Sequence, residues 1–179
     1  MLTAESSVLI VTDVQGRLAE IMHERDAFFQ GLTTLIQAAR VLEVPIVWLE
    51  QVPDKMGPTT PEVARLLEGL KPIAKKSFSA WGEPKVRETL NRLGRRQVLL
   101  SGIETHICIL QTAADLAREG FGVQVAVDAV ASRYPLNKEI GLERVREAGA
   151  SLATVETAVF EIMREAGGPA FREIIGLIK

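Results

Sequence analysis

The sequence predicts a single doubly wound α/β domain spanning residues 1–179, with a six-stranded, mostly parallel sheet and helices on both faces. Short β-branched apolar runs alternate along the chain with segments whose apolar residues recur at helical spacing. Parallel neighbours need such crossover connections. The length, 179 residues with 47% hydrophobic and 25% charged, suits one compact core, and no internal repeat or linker interrupts it.

The elements follow in order. Ser7 to Asp13 (SVLIVTD) is a run of strand length ending in a carboxylate, and its near-continuous apolarity marks a strand buried on both faces. From Asp26 to Leu42, Phe29, Leu32, Leu35, Ile36 and Ala39 form one helical stripe with Gln30 and Gln37 between them. Strands are expected at Val44–Leu49, near Pro72–Ala74, and at Gln97–Ser101, Val123–Asp128 and Ser151–Thr154. Helices are expected at Pro61–Leu70, Pro84–Leu93, Thr105–Arg118, Lys138–Ala148, Glu156–Arg164 and Pro169–Ile178. The piece from Gln51 to Thr60 holds Pro53, Gly57 and Pro58 and reads as a loop of the kind that shapes ligand sites.

Composition narrows the function classes. The 21 Lys and Arg against 23 Asp and Glu form no run of one sign, so neither nucleic acid nor an anionic membrane has an electrostatic footprint to grip. Apolar stretches stop short of the roughly 20 residues a span requires, and no basic leader opens the chain. The expectation is a soluble, cytoplasmic protein acting on a small molecule. The single cysteine rules out an internal disulfide and a cysteine-built zinc site. Neither a G-x-G-x-x-G nor a P-loop follows any expected strand, which disfavours nucleotide binding.

Ligands of open α/β sheets bind at the carboxyl ends of strands where the winding reverses. That rule gathers Asp13 at the end of the first strand, Lys75 at the end of the third and Cys108 in the first helical turn after Gln97–Ser101. Each has a bland alternative: Cys108 a small core hydrophobe, Asp13 a turn cap, Lys75 a solvated lysine beside Lys76. Gly102 and Thr105 mark a strand-to-helix turn with Thr105 as its cap. The helix start then favours a thiolate at Cys108 and offers backbone donors to an oxyanion. Of the two histidines, His106 lies only two residues from Cys108 and does not face it, and His23 sits in a segment of unfixed placement. Activation by Asp13 as proton acceptor, with Lys75 holding negative charge, is the reading that remains.

Three blocks now carry a resemblance: VLIVTDVQ at 8–15, KKSFSAW at 75–81, and SGIETHICILQTAADLAREGF at 101–121, extended by VAVDAVASR at 125–133. Together they resemble the isochorismatase-like cysteine hydrolases, a Rossmann-type three-layer superfamily, and within it the isochorismatase domain-containing branch. The resemblance implies Asp13, Lys75 and Cys108 as the catalytic set. Lys75 is chosen over Lys76 because it stands four residues before Ser79. It also implies a non-proline cis peptide at Ile103–Glu104, backbone N–H groups of Glu104 and Cys108 as an oxyanion hole, a homo-oligomer, and no cofactor.

Two departures sharpen the expectation. Metal-binding nicotinamidases of the family carry an Asp-x-His pair and a further histidine after the second strand, and positions 50–74 hold no histidine. Isochorismate-cleaving members commonly lack the cysteine. The expected chemistry is therefore cleavage of an amide or carbamoyl C–N bond through a thioester, with Gln15, Phe78, Trp81 and Thr105 lining the substrate pocket. The alternatives are a vinyl-ether hydrolase with Asp13 as acid, and a non-catalytic binding protein on the same fold. The apolar stripe Phe171, Ile174, Ile175 and Ile178 faces either core or partner.

Overall fold

The computed structural model describes residues 1–178. Six strands, β1 (Ser7–Thr12), β2 (Ile46–Gln51), β3 (Ile73–Lys75), β4 (Gln97–Ile103), β5 (Gly122–Ala131) and β6 (Ser151–Ala153), form one sheet in the order β3-β2-β1-β4-β5-β6. Every pairing is parallel. The chain first winds outward from β1 through β2 to β3, then crosses back to place β4 on the other side of β1. The reversal thus falls between β1 and β4, whose registers run from Ser7 opposite Gln97 to Thr12 opposite Gly102.

Helices cover both faces as expected. One face packs on α2 (Arg25–Val41), α8 (Val155–Met163) and α9 (Gly168–Ile178), with Leu9 and Val11 of β1 pointing that way. The other packs on α5 (Pro84–Leu93), α6 (Leu110–Arg118) and α7 (Pro135–Glu147), and receives Val8 and Ile10. All six residues of β1 are buried, the consequence of a central strand with a helix layer on each side. Within the α9 stripe Ile174 is fully buried and Ile178 packs against the same core, whereas Phe171 and Ile175 are half-buried; α9 lies along α2.

Several boundaries differ from the expected ones. Residues Val44 and Pro45 precede β2 instead of opening it, and β4 and β5 run on to Ile103 and Ala131. The piece 61–70 is not one helix but a turn, α4 (Pro61–Ala64), followed by a 3₁₀ turn at Arg65–Leu67. The Arg40 guanidinium accounts for the early stop: it donates to the carbonyls of Leu66 at 2.5 Å and Glu68 at 2.7 Å, satisfying them without a further turn. Two short helices, α1 (Gly16–Glu20) and α3 (Pro53–Met56), occupy stretches in which no helix was expected. Most relevant to the site, 105–118 begins with a π-turn, Thr105–Ile109, before α6 starts at Leu110. Thr105 is inside that turn and makes no cap; Glu104 is the flanking residue.

Candidate active site

The switch point between β1 and β4 brings the three expected residues together. Asp13 follows the last residue of β1 with φ of 55°, a left-handed turn that a short polar side chain tolerates. Gly102 stands opposite Thr12 with φ of 109°, and a Cβ there would overlap the Thr12 carbonyl oxygen. Only glycine lets the two strand ends approach so closely. Beyond it the Ile103–Glu104 peptide is cis, as the resemblance implied, and the π-turn carries Cys108 back over the end of β1.

Lys75, at the end of β3, reaches across β2 with a side chain wholly removed from water. Its Nζ donates to Asp13 Oδ2 at 2.7 Å, to Gln51 Oε1 at 2.5 Å, and to the carbonyls of Ser77 and Phe78, each at 3.2 Å. An ammonium has three N–H donors. Four acceptors already surround this one, so none of its protons is directed at a substrate. The expectation that Lys75 itself cradles the thiolate or a developing oxyanion is revised accordingly: it binds Asp13. Lys76, the fallback, is exposed and contributes its carbonyl to Gln51.

The partner carboxylate is divided in function. Oδ2 is tied to Lys75, whereas Oδ1 is buried and has no hydrogen-bond partner among the described residues. Burial pushes the Asp13 carboxyl above its ordinary range, against the pull of Lys75. Cys108, 7% exposed, lies against this carboxylate. Burial, then the negative charge of Asp13, pushes its thiol up to about 12, while Lys75 and the Glu104 backbone N–H act in the opposite direction. The resting group is therefore a thiol, not the thiolate expected from a helix start. Desolvation and an adjacent carboxylate outweigh the helix end and an ammonium turned toward Asp13.

Glu104 has its backbone N–H beside the Cys108 sulfur, and its side-chain Oε1 accepts from the backbone N and the Nε of Arg133, both at 3.1 Å. His106, passed over as a catalytic base, clamps the turn: Nδ1 lies 3.0 Å from Ser132 Oγ and Nε2 lies 3.3 Å from Asn137 Nδ2. With the Asn137 amide donating to Nε2, Nδ1 carries the ring proton to Ser132.

Of the four expected pocket residues, two have other duties. Gln15 is completely buried. Its Nε2 donates to the carbonyls of Gln51 (3.2 Å) and Gly57 (2.7 Å), and its Oε1 accepts from the Gln51 N–H at 2.6 Å, so the amide has nothing left for a ligand. Trp81, half-buried, packs edge-on against Phe121 of the core, ring centroids 5.6 Å apart. Phe78 projects its ring outward at 53% exposure. Thr105 is fully buried with an unpartnered hydroxyl among the described residues. Gln51 was missed, although its place at the C-terminal end of β2, opposite Lys75, is where the strand-end rule directs attention. Among the described residues, no group of three or more His, Cys, Asp or Glu is arranged to hold a metal ion.

A buried cysteine, carboxylate and lysine thus converge at the switch point of a parallel sheet. The isochorismatase domain family model matches residues 7–157, and the chain belongs to that family and is a hydrolase. It is similar to the secreted isochorismatase effector Isc1 of Phytophthora sojae, 39% identical over 99% of this chain and 87% of the relative. It is also similar to isochorismatase domain-containing protein 2A of Mus musculus, 38% identical over 98% and 84%. A solved structure titled as the MAR1 ribonuclease of Caenorhabditis elegans superposes with a TM-score of 0.92 at 34% identity, covering 99% of this chain and 91% of that one.

Proposed function

We propose that this hydrolase cleaves an amide or carbamoyl C–N bond of a small molecule, with Cys108 as nucleophile, Asp13 as proton shuttle and Lys75 as the group that orients Asp13. The observation that carries the reading is the division of the Asp13 carboxylate, one oxygen anchored on Lys75 and the other buried and without a partner among the described residues, in a group against which the thiol lies. As sulfur attacks the carbonyl carbon, the thiol proton passes to Oδ1. The carbonyl π electrons move to oxygen, where the N–H groups of Glu104 and Cys108 receive them. Collapse expels the leaving amine, which takes the proton from Asp13. Water, deprotonated by the same carboxylate, then attacks the thioester carbonyl; collapse breaks the C–S bond, releases the acid, and returns the proton from Asp13 to the Cys108 sulfur. Raised basicity suits Asp13 to this work, because a base must hold the proton for the length of a step.

Phe78 and Thr105 line the approach in this reading, and the substrate is small because the nucleophile is almost wholly covered. No helix among the described residues is long and apolar enough to cross a membrane, and the cytoplasm is the proposed location. Tyr134, Leu136 and Ile140, exposed at 63%, 62% and 45% around the start of α7, supply an apolar surface suited to a homo-oligomer.

A panel of small amides, ureas and carbamates, with a vinyl ether and an RNA oligomer as controls, tests the reading. Turnover of an amide by wild type, abolished in Cys108→Ala and in Asp13→Asn, is the expected result. Activity retained in Cys108→Ala but lost in Asp13→Asn would instead mark Asp13 as an acid in vinyl-ether cleavage.

A further inference from the structure

Gln51 stands where three strand ends meet, and all of its amide and peptide groups are engaged there. Its side-chain Oε1 accepts from Lys75 Nζ at 2.5 Å. Its Nε2 donates to the Lys76 carbonyl at 2.7 Å, which fixes the amide so that oxygen, not nitrogen, faces the ammonium. Its own N–H donates to Gln15 Oε1 at 2.6 Å, and its carbonyl accepts from Gln15 Nε2 at 3.2 Å. Gln15, completely buried two residues after Asp13, donates as well to the Gly57 carbonyl. The chain then turns sharply at Val52, whose φ of 37° is rare for a β-branched residue, and whose N–H bonds the Lys75 carbonyl. Side chain and backbone of Lys75 are thus both held by the 51–52 corner, which is itself pinned to the strand that presents Asp13.

The consequence concerns how many carboxylate oxygens Lys75 touches. A lysine ammonium bonded only to Asp13 and two carbonyls 3.2 Å away would have freedom to straddle the carboxylate and engage both oxygens. A second short acceptor, the neutral Gln51 Oε1 at 2.5 Å, removes that freedom. We propose that Gln51 is a positioning residue of this active site: it holds Lys75 on Oδ2 alone and so keeps Oδ1 of Asp13 available to the Cys108 thiol. The inference rests on the proposed roles of Asp13, Lys75 and Cys108, and it adds a residue outside the expected set. A neutral acceptor is required there, because a carboxylate at 51 would compete with Asp13 for the ammonium and add negative charge beside the thiol.

The test reads the thiol directly and needs no substrate. Cys108 alkylation by iodoacetamide is followed from pH 6 to 10 by intact mass in wild type, Asp13→Asn, Gln51→Met and Gln51→Glu, with far-UV circular dichroism and melting temperature recorded for each. Wild type and Asp13→Asn should differ, which establishes that Asp13 governs the thiol. Gln51→Met, of similar length but with no acceptor, should then speed alkylation at neutral pH on the order of tenfold, the effect of about one pK unit, because an ammonium free to straddle both oxygens cancels more of the Asp13 charge that holds the thiol proton. Gln51→Glu, which restores an acceptor and adds negative charge, should return the rate to the wild-type value or below it. A folded Gln51→Met with the wild-type rate and profile overturns the proposal and leaves the reading of the site intact. A Gln51→Glu as fast as Gln51→Met also overturns it, because then the acceptor itself plays no part. Identical profiles in wild type and Asp13→Asn would overturn the site reading, and the role of Gln51 with it.

Discussion

The two halves of the site are built by opposite means. On the β1–β2–β3 side, Asp13 and Lys75 are fixed by hydrogen bonds: four acceptors around one ammonium, with Gln15 and Gln51 behind them. On the β4–β5 side, Cys108 is fixed mainly by close packing. A Cβ at Gly141 would come within 2.9 Å of the His106 Cα and N, so α7 lies directly on the backbone of the π-turn, and Gly102 does the same for β4 against Thr12. The difference matches the chemistry proposed for each half. The base needs a defined protonation state and one free oxygen, which partners and charge confer. The nucleophile needs a fixed position and neutral surroundings, which packing confers.

Breaking the polar half carries the largest expected effect. Lys75→Met leaves the Asp13 carboxylate buried and unpaired and should cost about 3–5 kcal/mol in urea unfolding. Asp13→Asn together with Lys75→Met removes both charges and should recover most of that loss while remaining inactive. A double variant as unstable as the single one would show that the pair contributes packing and not mutual neutralisation. Disturbing the packed half comes next. Gly141→Ala forces the π-turn and α7 apart and should cost about 1–3 kcal/mol, with slower Cys108 alkylation. Gly176→Ala, in α9 with open space around its Cβ position, should stay within about 1 kcal/mol of wild type or gain slightly.

A smaller effect separates the halves by pH. Because the folded state raises the Cys108 pKa to about 12, the thiol binds its proton more tightly folded than unfolded. The associated stability is fully present below the unfolded value of about 8.5 and is lost as pH rises toward 12. Urea unfolding at pH 7 and pH 10 should therefore show wild type losing about 1–2 kcal/mol more than Cys108→Ala over that interval. Equal losses in the two proteins would mean that the thiol ionises as freely folded as unfolded, and that Asp13 does not bear on it.

The sequence made the sheet legible because its strands are buried on both faces and read as continuous apolar runs, and the strand-end rule then located Asp13, Lys75 and Cys108. What it concealed depends on contacts between distant segments. The π-turn at Thr105–Ile109 has the composition of an ordinary helix start, and its form is set by Gly141 and His106 packing 35 residues apart in the chain. The direction of the thiol shift was misread for a similar reason: helix polarity is visible in sequence, whereas the depth of burial and the turning of Lys75 toward Asp13 are not. Gln15 and Trp81 looked like pocket residues because polar and aromatic side chains near strand ends often are. Their partners, Gln51 and Phe121, lie 36 and 40 positions away.

The smallest effect belongs to the ion pair that borders the packed half. Glu104 is buried, yet Arg133, its partner, is 42% exposed along its side chain, so water already screens much of the attraction. Arg133→Ala also removes only one of the two donors to Glu104 Oε1, since the backbone N–H of residue 133 remains at 3.1 Å. Its cost in urea unfolding should be about 0–1 kcal/mol and should vanish in 1 M salt, where charges are screened over roughly 3 Å. Glu104→Ala deletes the acceptor for both and leaves the Arg133 N–H unsatisfied, which should cost about 1–3 kcal/mol and persist in salt. If Arg133→Ala proved the more damaging of the two, the charge of Arg133 would be stabilising the fold through a group other than Glu104.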